Sequence, residues 1–332
     1  MGVLCQIFVD KPSDSVHRAG DVVSGVVKYA VTSATKFNNI TLSFRGESWC
    51  SWASQTCDDC TTHLGTDEHV SQVVSLLDVP GETRTFPAGH YQQHFAFTLP
   101  KSIPPSFTQP TGQVTYKITL EFKREGLYNA TRIFEALVPV QNYVKPTLPH
   151  STTLDVKKSL FKLFPVGKQK ISFRAEIEQP LVTPGENAVV KCLVTNDSFV
   201  RIRSIKAELC STTVYTSNSG ATTTYTERIA NCMVEITKVP SCSVTKMCIS
   251  VPTLAEHRTV QHSRTISNDY YILITLSLPI PLSNIKTILP ILIGEREKKD
   301  KEAKADEFPE NVAVIVCDPP PPYMDVIATG QR

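Results

Sequence analysis

The sequence has little of what marks several common classes of protein. Its 34 basic side chains are nearly balanced by 32 acidic ones, for a net charge of +2, whereas a protein that binds nucleic acid usually carries a strong basic excess. Its 14 glycines are outnumbered by 23 prolines, and 41% of its residues are hydrophobic, which excludes a disordered or fibrous chain. We therefore expect a folded, turn-rich protein with no nucleic-acid partner.

Secretory and membrane-spanning patterns are also missing. The longest apolar stretch, residues 270–282, is shorter than the roughly 18 residues of a membrane helix, and Pro279 and Pro281 interrupt it. The first residues, MGVLCQIFVDKPSD, have neither the basic region nor the long apolar run of a secretory signal. We expect a cytoplasmic chain whose ten cysteines are mostly free thiols.

Motifs of the common enzyme classes do not occur in the sequence. It contains no Gly-x-Ser-x-Gly turn, no phosphate-binding glycine loop and no His-Glu-x-x-His zinc motif. We therefore predict a protein that is not an enzyme and needs no cofactor. The one metal-like pattern is Cys57, Cys60 and His63 in a predicted loop between strands. Because zinc takes about four ligands in a tetrahedron, this irregular spacing favours a loop with free thiols over a zinc site, which stays the alternative.

Strand patterns and an internal repeat predict the architecture. Residues 113–122 alternate apolar and polar side chains, the period of a sheet with one buried face. The turn and strand at residues 12–32 recur at residues 180–195, an offset of about 165 residues. Turn residues at short intervals favour antiparallel sandwiches over parallel βαβ units. We predict an all-β fold of two tandem β-sandwich domains, 1–143 and 171–295, joined by a hinge at 144–170 and followed by a flexible charged and Pro-rich tail at 296–332.

Both halves contain particular short motifs: Phe44-Arg45-Gly46-Glu47, residues 95–107, residues 112–116, Pro184-Gly185-Glu186, Asn196-Asp197-Ser198 and residues 289–294. Together, over roughly residues 5–295, they resemble those of arrestins, and within that superfamily those of α-arrestins, the arrestin domain-containing proteins. The resemblance implies two arrestin-like, immunoglobulin-like sandwiches whose concave faces and loops engage membrane cargo, without enzymatic activity.

The tail contains a short proline motif. After a mixed-charge run at residues 295–302, the chain reads Asp318-Pro319-Pro320-Pro321-Pro322-Tyr323, which includes Pro-Pro-x-Tyr. Consecutive prolines favour the polyproline II conformation, so binding in an aromatic groove loses little chain entropy. We expect Pro320, Pro321 and Tyr323 to bind a WW domain; the alternative is a Pro-rich tail without a partner.

The α-arrestin resemblance gives the motif a use. In α-arrestins it docks the WW domains of HECT-type ubiquitin ligases, which makes the sandwiches the reader of receptor or transporter cargo and implies recruitment to the plasma membrane and endosomes. Family members commonly carry two such motifs, whereas this sequence has one. A ubiquitin-independent trafficking or cargo-retrieval scaffold is the alternative function.

The predicted hinge interleaves positive charge with apolar side chains. Lys157, Lys158 and Lys162 lie in the run Lys-Lys-Ser-Leu-Phe-Lys-Leu-Phe at residues 157–164, a pattern that could contact an anionic membrane. Packing of its apolar residues between the domains is the favoured reading, because exposed apolar clusters are costly.

Overall fold

The computed structural model describes residues 2–13, 15–55, 60–77, 83–124, 131–149, 152–159, 170–239 and 243–296. Over these residues the chain forms twenty β-strands and no helix. The alternation seen in the sequence explains this: along the strand at residues 112–124, the apolar residues of one face are buried at every second position, whereas their neighbours are half-buried. The predicted all-β fold of two sandwiches is therefore confirmed.

The first sandwich consists of a three-stranded sheet packed on a larger one. Its strands are β1 (Val3–Val9), β2 (His17–Arg18), β3 (Val22–Val31), β4 (Thr35–Gln55), β5 (Cys60–Ser75), β6 (Arg84–Phe86), β7 (Gly89–Thr98), β8 (Phe107–Gln109), β9 (Gly112–Arg124), β10 (Thr131–Leu137) and β11 (Val140–Gln141). One sheet has the order β1-β3-β7, and the other has the order β10-β9-β4-β5, with β6 on β4 and β8 on β9.

The second sandwich repeats this plan. Its strands are β12 (Thr152–Ser159), β13 (Lys170–Ile177), β14 (Leu181–Val182), β15 (Asn187–Asp197), β16 (Ile202–Thr216), β17 (Thr222–Val239), β18 (Ser243–Pro252), β19 (Ile266–Ser277) and β20 (Ile285–Ile293). The sheet orders are β12-β13-β15-β18 and β14-β20-β19-β16-β17. The series β10-β9-β4-β5 in the first sandwich therefore corresponds to β20-β19-β16-β17 in the second.

The repeated turn has the same backbone conformation in both copies. Gly20 and Gly185 have φ angles of 92° and 86°, in the left-handed region that a residue with a Cβ rarely adopts. Each turn follows a two-residue strand that pairs in parallel with the last strand of its own sandwich, β2 with β11 and β14 with β20. The similarity of the two halves is therefore structural as well as sequential.

Residues 152–159, within the predicted hinge, form a strand of the second sandwich that the sequence analysis did not anticipate. β12 pairs with β13 over its whole length, from Thr152 opposite Ile177 to Ser159 opposite Lys170. Leu154 and Val156 pack against the core of the second sandwich, while Lys157 faces solvent. Residues 152–158 alternate half-buried and exposed positions, as an edge strand does. The adjacent Lys157 and Lys158 made this alternation hard to recognise in the sequence.

Candidate docking sites and the domain interface

Residues of the second sandwich complete the core of the first. The loop between β18 and β19 reaches across the interface, and Val260 from this loop, Ile266 at the start of β19 and Tyr215 near the end of β16 belong to the hydrophobic cluster of the first sandwich. All three are at most 2% exposed. Because burial of such side chains stabilises by about 1.5–3 kcal/mol each, the two sandwiches form a tightly packed pair.

Hairpin tips and hydroxyl groups line the same interface. The hydroxyls of Ser48 and Thr265 are 2.6 Å apart, and the Cys50 thiol lies 3.5 Å from the carbonyl oxygen of Thr216. The tip that joins β16 to β17 crosses β5, where the backbone amide of Asn218 donates to the carbonyl of Leu64 at 2.9 Å. A buried hydroxyl is costly without a partner, so the Ser48–Thr265 pair stabilises the interface. The bond between the exposed residues Asn218 and Leu64 also links the two hairpins.

An ion pair joins the sandwiches at Asp67. The guanidinium and backbone amide of Arg264 donate to its carboxylate at 2.6, 2.8 and 2.9 Å. Burial alone would raise the pKa of Asp67, but the Arg264 hydrogen bonds and the adjacent His69 outweigh it and hold that pKa below its usual value. Burial lowers the pKa of His69, against the attraction of Asp67. At neutral pH this cluster therefore contains an ionised Asp67 beside a neutral His69.

Ser48, His69 and Asp67 have the residue types of a catalytic triad but not its geometry. His69 Nε2 lies 3.1 Å from the Ser48 hydroxyl, whereas Nδ1 is 3.8 Å from Asp67, too long for a hydrogen bond. Ser48 is 1% exposed, so no substrate can reach its hydroxyl. The cluster serves to connect the domains and is not a nucleophilic centre.

A second ion pair lies where the chain leaves the second sandwich. The Arg18 guanidinium donates two hydrogen bonds to the Glu295 carboxylate, at 2.9 and 3.1 Å. Glu295 also forms a β-bridge with Tyr143, so the start of the tail is attached to the first sandwich. Arg18 and Glu295 are 277 positions apart in the sequence, and a contact between such distant residues leaves no local pattern that could predict it.

The candidate membrane lysines lie at one end of the second sandwich. Lys157 is exposed, and the Lys158 ammonium donates to the Ser283 hydroxyl at 2.7 Å and to its carbonyl; Lys162 lies outside the described residues. The loop that contains Ser283 carries Ile280, which is 85% exposed, and the loop after β15 carries Phe199, which is 82% exposed. The sequence analysis missed these two apolar residues, because a single apolar residue in a polar loop has no periodic signal.

The candidate zinc residues are only partly within the described residues. Cys57 lies outside them. Cys60 is an exposed free thiol. His63 stacks on Trp52 with ring centroids 5.1 Å apart, and its Nε2 is 2.8 Å from the Ser54 hydroxyl. In the part of the chain that the structure describes, no three His, Cys, Asp or Glu residues are grouped as metal ligands would be.

The tail motif, with Pro320, Pro321 and Tyr323, also lies outside the described residues, which end at Arg296. Within the residues that the structure describes, no helix is long and apolar enough to cross a bilayer.

The duplicated sandwiches and their shared core match two family models. Residues 5–142 match the arrestin (or S-antigen) N-terminal domain, and residues 167–298 match the arrestin (or S-antigen) C-terminal domain. The chain is 23% identical over 318 residues to human arrestin domain-containing protein 5, with 88% of each chain covered. Identity to the bovine protein of the same name is 23% over 325 residues, covering 88% of this chain and 92% of the relative.

Two sandwiches of this topology, matched in order by both domain models, define an arrestin-fold protein, and the chain belongs to the arrestin family. Its similarity to arrestin domain-containing proteins confirms the resemblance to the α-arrestin branch. Arrestin-family proteins are non-enzymatic adaptors, and the adaptor class is therefore the functional class of this chain.

Proposed function

We propose that the protein is a cytoplasmic adaptor that links membrane receptors or transporters to WW-domain ubiquitin ligases of the HECT type, and so promotes ubiquitination and endocytosis of the cargo. The observation that carries the proposal is the Pro-Pro-x-Tyr sequence at residues 320–323, which follows the two arrestin-family domains in the sequence. Pro320 and Pro321 would fill the aromatic groove of a WW domain, and Tyr323 its adjacent pocket.

The test is a pull-down of the full chain with the WW domains of a HECT-type ligase. We expect binding by the wild type and by Met324→Ala, a control next to the motif, and no binding by Tyr323→Ala. Equal binding by Tyr323→Ala would refute the assignment of the motif. Absence of binding by the wild type would favour the ubiquitin-independent trafficking or retrieval scaffold.

Phosphorylation of Tyr323 would switch this interaction off. A phosphate adds nearly two negative charges at neutral pH, and these would have to enter a pocket that accepts an uncharged ring. Titration of the WW domain with peptides of residues 316–328, with and without the phosphate, measures the difference. We expect a large loss of affinity for the phosphopeptide; equal affinities would show that Tyr323 does not enter the pocket.

We also propose that the end of the second sandwich contacts anionic membrane. Phe199 and Ile280 project from two loops at this end with more than four-fifths of their surface exposed, and Lys157 and Lys158 lie on the strand beside them. Exposed apolar side chains can insert into the headgroup region of a membrane, and each lysine near an anionic membrane surface contributes about 1 kcal/mol to the binding free energy.

Co-sedimentation with vesicles that contain phosphatidylserine tests this surface. Phe199→Ser with Ile280→Ser, and separately Lys157→Glu, should each reduce binding. Leu137→Ser is the matched control, because Leu137 is 73% exposed on the first sandwich. An equal effect of the control, or no effect of the loop substitutions, would refute the membrane assignment.

A further inference from the structure

The outer edge of β17 is unprotected over its first half. β17 is the terminal strand of the five-stranded sheet and pairs with β16. From Thr222 to Thr226 it carries four threonines and one tyrosine, with no charge, and none of these residues is buried. A straight, uncharged edge strand is a ready template for pairing with another strand, which natural proteins usually prevent with charges or bulges.

The second half of the same strand has those protections. Cys210 pairs with Arg228 and Glu208 pairs with Met233, so residues 229–232 bulge out of the ladder. Within this bulge Asn231 has a φ of 62°. Glu235 then adds an exposed charge to this half of the strand. The bulge and this charge therefore leave residues 222–228 as the open part of the strand.

We propose that this open part is a dimer interface, at which β17 of a second copy of the chain pairs antiparallel about a twofold axis at Thr224. In this register Thr222 faces Thr226 of the second copy, and Thr223 faces Tyr225. Threonine pairs and pairs of an aromatic with a β-branched residue are favourable across antiparallel strands. The self-complementary sequence is the reason for choosing a second copy over an unrelated peptide.

The charges that end the segment fit the same register. Glu227 and Arg228 would lie just beyond the paired residues, next to the turn residues Ala221 and Gly220 of the second copy, so no like charges meet. The pairing uses the same patch on both copies, which closes the assembly at two subunits. The five residues of β17 that pair in this register, 222–226, bury much less than the roughly 800 Å² per partner of a stable complex. The dimer is therefore weak and depends on concentration.

Dimerisation would have a consequence for the tail that rests on the proposed ligase function. One chain contains one Pro-Pro-x-Tyr motif, whereas a dimer presents two to a ligase with several WW domains. Linking two binding motifs raises avidity without any new contact. The dimer itself does not depend on WW binding and is measured without a ligase.

Sedimentation equilibrium of the full chain over a wide concentration range tests the interface. We expect reversible dimerisation of the wild type and its loss in Thr224→Lys and in Thr224→Glu, because each places like charges opposite one another at the twofold axis. An equimolar mixture of these two variants should dimerise again, since a lysine then faces a glutamate. Recovery in the mixture also shows that both variants are folded.

Thr237→Lys is the matched control, because Thr237 is exposed on β17 beyond the bulge. It should dimerise as the wild type does. A wild type that stays monomeric at the highest concentrations, or a Thr224→Lys variant that dimerises as strongly as wild type, would overturn the proposal. Failure of the WW pull-down with an intact dimer would refute the ligase function and leave this interface standing.

Discussion

Ile266 offers a direct test of whether the two sandwiches share one core. It lies at the start of β19 in the second sandwich, is 1% exposed and packs in the cluster of the first. Truncation to alanine removes three carbon atoms, worth about 0.8 kcal/mol each in transfer free energy, plus the cost of the cavity. We expect Ile266→Ala to lower the free energy of unfolding by about 3 kcal/mol.

The natural fluorescence of the protein makes the assay specific for one domain. Both of its tryptophans, Trp49 and Trp52, lie on β4 of the first sandwich. Urea unfolding followed by tryptophan emission therefore reports the first sandwich, although the substitution is in the second. Circular dichroism of the same samples reports the strands of both.

The matched control is Ile288→Ala, which makes the same chemical change on β20, where the side chain is 53% exposed. Surface substitutions of this kind usually change stability by less than about 0.5 kcal/mol. If Ile266→Ala shifted the circular dichroism transition but left the tryptophan transition unchanged, Ile266 would stabilise its own sandwich alone, and the shared core would be wrong.

Three further predictions concern single groups. The buried Tyr116 hydroxyl donates to the Pro104 carbonyl at 2.7 Å, so Tyr116→Phe should cost about 1–2 kcal/mol in thermal unfolding; no change would mean that this bond is not formed. Because the folded-state pKa of His69 is lowered, the stability that it contributes is complete above its ordinary pKa of about 6.5 and declines as the pH falls below that value. His69→Gln should flatten the stability profile there, and an unaltered profile would exclude His69. Burial raises the pKa of the Cys192 thiol to about 12, whereas Cys248 is exposed. Maleimide at neutral pH should therefore label Cys248 before Cys192, as followed by mass spectrometry; equal rates at the two thiols would contradict the burial of Cys192.

Local patterns made the strands and the duplication predictable. The alternation at residues 113–122 lies within β9, and the repeated Pro-Gly and Ala-Gly turns precede β15 and β3. Both signals arise from neighbouring residues, because period-2 alternation and positive φ are properties of a short stretch of backbone. They therefore need no knowledge of the tertiary structure.

Contacts between distant residues were not predictable in the same way. Asp67 and Arg264 are separated by 197 positions, and neither has neighbours that indicate a partner. Cys50 and His69 lie close in sequence to the metal-like pattern of Cys57, Cys60 and His63, yet Cys50 contacts the Thr216 carbonyl and His69 lies beside Asp67. Residue type alone does not tell a ligand from an interface residue, since the distinction depends on what another domain places opposite.

The close approach of the two hairpins at Gly65 offers an engineering tool. A Cβ at this position would lie 2.4 Å from the carbonyl oxygen of Thr216 and 2.8 Å from the Cys50 sulfur, closer than van der Waals contact permits. A bulky residue at Gly65 would therefore act as a wedge that separates the sandwiches while leaving the charged residues between them unchanged. Such a wedge would make it possible to ask whether the proposed cargo binding needs the two sandwiches packed together or only one of them.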